Sequence, residues 1–110
     1  MFDLVNVDIT RLEASATSAA RLLKALGNAR RLMILCQLAE GERSVGQLQP
    51  RSGLSQSALS QHLAVLREDG IVAARRDGLT IWYRIEDPAA IRVVTTLAEI
   101  FCPPAPEARP

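Results

Sequence analysis

Residues 54–84 switch once from a helical repeat to a hairpin, and that switch limits what the chain can fold into. In the run LSQSALSQHLAVLREDGIV, Leu59, Leu63 and Leu66 stand at i, i+4 and i+7, one apolar stripe of a helix. Ser55 suits the cap before it and Gly70 the stop after it. Strands over 71–76 and 80–85 follow at once, joined by Asp77-Gly78, a pair that accepts the backbone of a tight hairpin turn. A compact helix backed by an arginine-bearing hairpin is the expected result.

The rest of the chain reads as helices. Leu12, Ala16, Ala19, Leu23 and Leu26 lie on one helical face, with Asp8 or Thr10 as the start and Gly27 as a left-handed stop. Asn28 can cap a second helix in which Leu32, Leu35, Cys36 and Ala39 share a face, ending before Gly41. Ser44 can cap a short third helix with Val45 and Leu48 inward, and residues 50–53 make a turn into the fourth. Asp87 and Pro88 open a last helix striped by Ile91, Val94, Ala98 and Phe101. The predicted order is α-α-α-α-β-β-α: mainly α with a β-hairpin wing, one domain over 1–110 with its core at about 8–102. PPAPEARP, residues 103–110, has no periodic apolar residue and reads as a frayed, disordered tail. Val93, Leu97 and Ile100 widen the last stripe, so the first and last helices carry more apolar surface than one small chain covers. A homodimer follows as the expectation.

Composition narrows the function classes. With 110 residues, 48% of them hydrophobic, the chain has material for one modest core. No apolar run approaches the roughly 18 residues that span a bilayer. The start MFDLVNVDIT has neither a basic segment nor a cleavage site, so no membrane association and a cytoplasmic location are expected, with both cysteines kept as thiols. No nucleophile–base pair, phosphate loop or paired carboxylates stand out, which argues against an enzyme and gives no cofactor. One histidine and two separated cysteines leave no obvious four-ligand zinc site, so no metal site is assigned.

The net charge of +1 conceals an uneven distribution: Arg67, Arg75, Arg76 and Arg84 cluster in the helix–hairpin unit, after Arg30, Arg31 and Arg43. On the fourth helix, Gln56, Ser57, Ser60, Gln61 and Ala64 fall opposite or beside the apolar stripe. Such residues either solvate an outward face or read base edges in a major groove, where donors and acceptors identify each pair. A capped helix before them and a hairpin behind them favour the second reading, a winged helix-turn-helix on double-stranded operator DNA. Arg67, Arg75 and Arg76 then suit phosphates, which position the protein without reading sequence. His62, at the border of the core face, suits packing or a phosphate contact better than a metal. A module that uses its helical stripes only to bind other proteins is the competing class.

The segment SVGQLQPRSGLSQSALSQHLAVLREDGIVAARRDGLTIWYRI resembles the ArsR (ArsR/SmtB) transcriptional repressors, and LLKALGNARRLMILCQLAEGE extends the likeness to about residues 12–102. The resemblance implies a homodimer that binds operator DNA and leaves it when an inducer arrives. Members that sense metals through Cys-Val-Cys have there what this chain reads as Ser44-Val45-Gly46, and its last helix has no histidine. By their chemistry alone Cys36 and Cys102 are as well explained as small buried hydrophobes. Leu-Cys-x-Leu-x-x-Gly-Glu around Cys36 and Ile-Phe-Cys at Cys102 resemble the SqrR/BigR-type repressors. This implies that the two are persulfide-sensing thiols that form a sulfur bridge within one subunit, with reactive sulfur species as inducer. A metal ion or a general oxidant is the alternative inducer.

Overall fold

The computed structural model describes residues 8–102; the expectations for the first residues and for the 103–110 tail lie outside them. The elements are α1 (Ile9–Leu26), α2 (Ala29–Ala39), β1 (Arg43–Ser44), α3 (Val45–Ser52), α4 (Gln56–Glu68), β2 (Val72–Asp77), β3 (Thr80–Ile85) and α5 (Pro88–Phe101). The strands form one antiparallel sheet in the order β1-β3-β2. The helix order and hairpin are those read from the sequence; β1 is an addition. Its two residues pair with Tyr83 and Trp82, an edge too short to leave a periodic signal.

Local chemistry sets most boundaries. The side chains of Asp8, Asn28, Ser44, Ser55 and Asp87 accept backbone N–H groups at the starts of α1 to α5, satisfying donors that have no partner inside a helix. At Ser44 the pairing is reciprocal with Gln47. Two stops differ from expectation. Gly27 is not left-handed (φ −76°); α1 ends because Arg31 takes over its last carbonyls, donating Nε to Ala25 O at 2.7 Å and Nη2 to Lys24 O at 3.3 Å. Pro50 lies within α3 rather than in the turn after it. It forgoes one helical bond, and the last turn is held instead through Ser52. The Ser52 hydroxyl donates to Gln49 O, its Oγ accepts from Leu54 N–H, and its carbonyl accepts from Arg30 Nη1. The left-handed residue that closes α3 is Gly53 (φ 69°), where a Cβ would stand 3.2 Å from Arg30 Nη1.

The core is built around α2, which packs against α1, α3, α4, α5 and β3. Ile34, Leu35 and Leu38 are its buried face, joined by Leu48, Leu59, Leu63, Leu66, Ile71, Val72, Ile85, Ala90 and Val94. That face is turned from the predicted one: Leu35 is buried, but Leu32 and Cys36 are half-buried and Ala39 is exposed. The reason is that α2 has neighbours on several sides, so a single stripe does not define its inside. On α1 only Ala25 and Leu26 are buried, while Ile9, Leu12 and Leu23 are 51–63% exposed. Ile91, Ile100 and Phe101 of α5 are exposed as well, whereas Val93 and Leu97 are half-buried.

Leu63 is fully enclosed at the centre of α4. Leu63→Ala should lower unfolding free energy by about 2–5 kcal/mol in urea denaturation, the range for a cavity in a packed core.

Candidate nucleic-acid interface and thiol cleft

Helix α4 is fixed from below by Leu59, Leu63 and Leu66, all less than 2% exposed. That anchoring turns Gln56, Ser57, Ser60, Gln61, Ala64 and Arg67 to solvent, while His62 is half-buried. The Ser55 hydroxyl caps the helix by accepting Ala58 N–H at 3.2 Å and lies 3.4 Å from the Ser57 hydroxyl. The first turn of α4 is therefore both ordered and rich in donors and acceptors. A groove of about 310 Å³ separates Ser60, Ala64 and Arg67 from Tyr83 of β3. A second, of about 370 Å³, runs from Gln56 and the start of α3 to Leu79, Thr80 and Ile81 at the tip of the wing. Each groove has α4 on one side and the hairpin on the other, an arrangement with the form of a duplex-binding face.

The arginines divide by partner. Arg30 and Arg31 serve helix ends, and Arg84 pairs with Glu86 at 3.2 Å. Arg75, expected on phosphate, is held by Glu42: Nε donates to Oε2 at 2.8 Å and Nη2 to Oε1 at 2.7 Å. The hydrogen bonds and charge of Arg75 hold the Glu42 carboxyl below its ordinary range. The guanidinium also lies 5.7 Å from the centre of the Trp82 ring. Among the described residues Arg67 and Arg76 have no ion-pair partner. Sequence reasoning missed Glu42 because 33 residues separate it from Arg75. Trp82 was within reach, since the Asp77-Gly78 turn sets the register that places it opposite Arg75.

On another face, α2 and α5 enclose an apolar cleft of about 290 Å³ lined by Ala29, Leu32, Met33, Cys36, Leu97, Ala98, Phe101 and Cys102. Both cysteines are free thiols; Cys36 is half-buried and Cys102 is exposed. Cys102 sits at the end of α5, its N–H donating to Ala98 O at 2.8 Å. Burial pushes the Cys36 thiol up from its ordinary value, and the neighbouring Cys102 and then Glu40 push it further. The described residues hold no group of three or more His, Cys, Asp or Glu side chains that could bind a metal ion. No helix among them is long and apolar enough to cross a membrane.

Fold and surface define a winged helix-turn-helix protein. The family model described as "Bacterial regulatory protein, arsR family" matches residues 28–74. The biofilm growth-associated repressor of Agrobacterium fabrum is 44% identical over 102 residues, covering 93% of this chain and 87% of that protein. The structure of reduced HlyU from Vibrio cholerae is 44% identical, with a TM-score of 0.80 over 84% of this chain and 97% of that one. The homodimeric winged helix-turn-helix DNA-binding domain Mb0332 from Mycobacterium bovis is 37% identical, with a TM-score of 0.72 over 82% of this chain and 83% of that one. The chain belongs to the ArsR family of bacterial regulatory proteins: it is a transcriptional regulator and not an enzyme.

The unequal thiol environments set an order of reactivity. At neutral pH iodoacetamide should label Cys102 well before Cys36, and Cys36 labelling should still be accelerating above the usual thiol range of about 8.5, as timed peptide mass mapping would show.

Proposed function

We propose that the chain is a homodimeric repressor that holds operator DNA in its thiol form and releases it when reactive sulfur species join Cys36 to Cys102. The observation that carries the reading is the shared cleft: thiols from two helices 66 positions apart in sequence line one apolar recess. The repressor named among its relatives supports the regulatory direction, and the homodimer among the similar structures supports the assembly. The exposed apolar residues of α1 and α5 supply a surface for a second copy.

On DNA, Gln56, Ser57, Ser60 and Gln61 read base edges, and Ala64 leaves room for the groove wall. Arg67 and Arg76 serve phosphates, with His62 beside them. The two reader helices of a dimer fit half-sites about one helical turn apart, so any change in their spacing weakens both contacts together.

The switch needs two sulfurs. One thiolate attacks the outer sulfur of a persulfide RSSH and expels RS⁻, leaving a protein persulfide. The second thiolate attacks the protein-bound sulfur of that persulfide and expels HS⁻. The sum is two Cys–SH plus RSSH giving Cys–S–S–Cys, RSH and H₂S: the thiols are oxidised and the outer sulfur is reduced to sulfide. A second RSSH inserts one more sulfur and releases one more RSH. Either product ties the end of α5 to α2. Because Arg30, on α2, holds the end of α3, tension on α2 passes to the turn that sets α4.

Intact-mass measurement after organic persulfide, read alongside a gel shift on the duplex upstream of the gene, tests the proposal. The expected product is a Cys36–Cys102 bridge of two or more sulfurs with loss of the shifted band. Cys36→Ser and Cys102→Ser should each bind DNA and ignore persulfide. Bridging without release, or release in both serine variants, sinks the reading. An equal response to peroxide would favour a general oxidant, and zinc-dependent release a metal. Separately, Ser57→Ala with Gln61→Ala should weaken specific binding by about 1–3 kcal/mol without altering thermal unfolding.

A further inference from the structure

The wing carries an arginine that faces the wrong partner for DNA. In the sheet order β1-β3-β2, Arg75 on one outer strand lies opposite Trp82 on the central strand, and Trp82 lies opposite Ser44 on the other outer strand. Glu42 is two residues before Ser44, on the link from α2. The Arg75 side chain therefore crosses the whole sheet, passing Trp82 at 5.7 Å and ending in a two-point bond with Glu42 at 2.7 and 2.8 Å. Both partners are partly shielded, their side chains 48% and 29% exposed.

We infer that Glu42 and Arg75 are positioning residues for DNA binding: together they brace the wing against the end of α2, and Arg75 makes no phosphate contact. The inference rests on the DNA reading above and divides the hairpin arginines that sequence reasoning had grouped together. Two arguments carry it. A planar guanidinium gains most from a carboxylate that takes two of its donors in parallel, and Arg75 already has that partner. Glu42 also cancels the charge that a phosphate would seek, so a phosphate approaching Arg75 meets a carboxylate. Arg76, next along β2, has no ion-pair partner among the described residues and is the hairpin cation left for the backbone, alongside Arg67 of α4. The brace gives the wing a mechanical tie to α2, the helix that bears Cys36.

Counterion release separates a brace from a phosphate contact, because each phosphate neutralised by a cation adds about 0.9 to the slope of log K against log salt. Fluorescence anisotropy on the duplex upstream of the gene, across a salt series, is the measurement, with circular dichroism to verify folding. Arg76→Gln should flatten the slope by about one. Arg75→Gln and Glu42→Gln should each weaken binding about two- to fivefold at every salt, the scale of a partly exposed ion pair, with unchanged slope. The exchanged pair, Glu42→Arg with Arg75→Glu, should recover binding relative to either single variant. A flatter slope for Arg75→Gln, tighter binding for Glu42→Gln, or an exchanged pair that binds worse than Arg75→Gln overturns the inference and leaves the DNA reading intact. If the unaltered protein shows no salt-dependent binding to the duplex, the DNA reading falls and the inference falls with it.

Discussion

The burial of α2 is the constraint on which the other parts depend. An eleven-residue helix with Ile34, Leu35 and Leu38 no more than 3% exposed touches four other helices and the central strand. The remaining core side chains come from the elements around it, and α3, α4 and α5 all pack against this one support. Close-packed interiors transmit displacement rather than absorb it. A pull on α2 of the kind the proposed bridge would exert would therefore reach the helix-turn-helix and the wing link without any long chain of intermediates.

Polar contacts give that support its directions. Arg31 closes α1, Arg30 closes α3, and Arg75 reaches back across the sheet to the link after α2. Arg31 and Arg75 each use two donors of the guanidinium fork and Arg30 one, satisfying carbonyls or a carboxylate that would otherwise stand unpaired. A chain with a net charge of only +1 thus commits several of its cations to architecture and leaves a smaller set for nucleic acid. Counting arginines overstates the charge offered to DNA, because partners distant in sequence remove some of them.

Legibility follows the range of the interaction. The caps at Asn28, Ser44, Ser55 and Asp87, the hairpin turn and the Leu59–Leu63–Leu66 stripe depend on neighbours within a few residues, and the sequence displays them openly. The pairing of Glu42 with Arg75, the two-residue β1 and the rotation of α2 arise from tertiary neighbours, which no local spacing encodes. Pro50 shows the same limit from the other side: its usual role as a helix breaker yields to Ser52 bonds that only the folded turn supplies. At the candidate sites, residue types on α4 were readable because helical geometry sorts them. The cleft that unites Cys36 with Cys102 became evident from the packing of α2 on α5.

The protonated state of Cys36 bears on timing. A sulfur kept mostly as thiol offers only a thin fraction of nucleophile at any moment, so its encounters with electrophiles are mostly unproductive. As the proposed sensor, such a thiol would pass over a brief pulse of oxidant and accumulate product only under a sustained one. In the switch proposed above, slowness of this kind would filter noise: the half-buried thiol would act as a delay line, its depth in the cleft setting the delay.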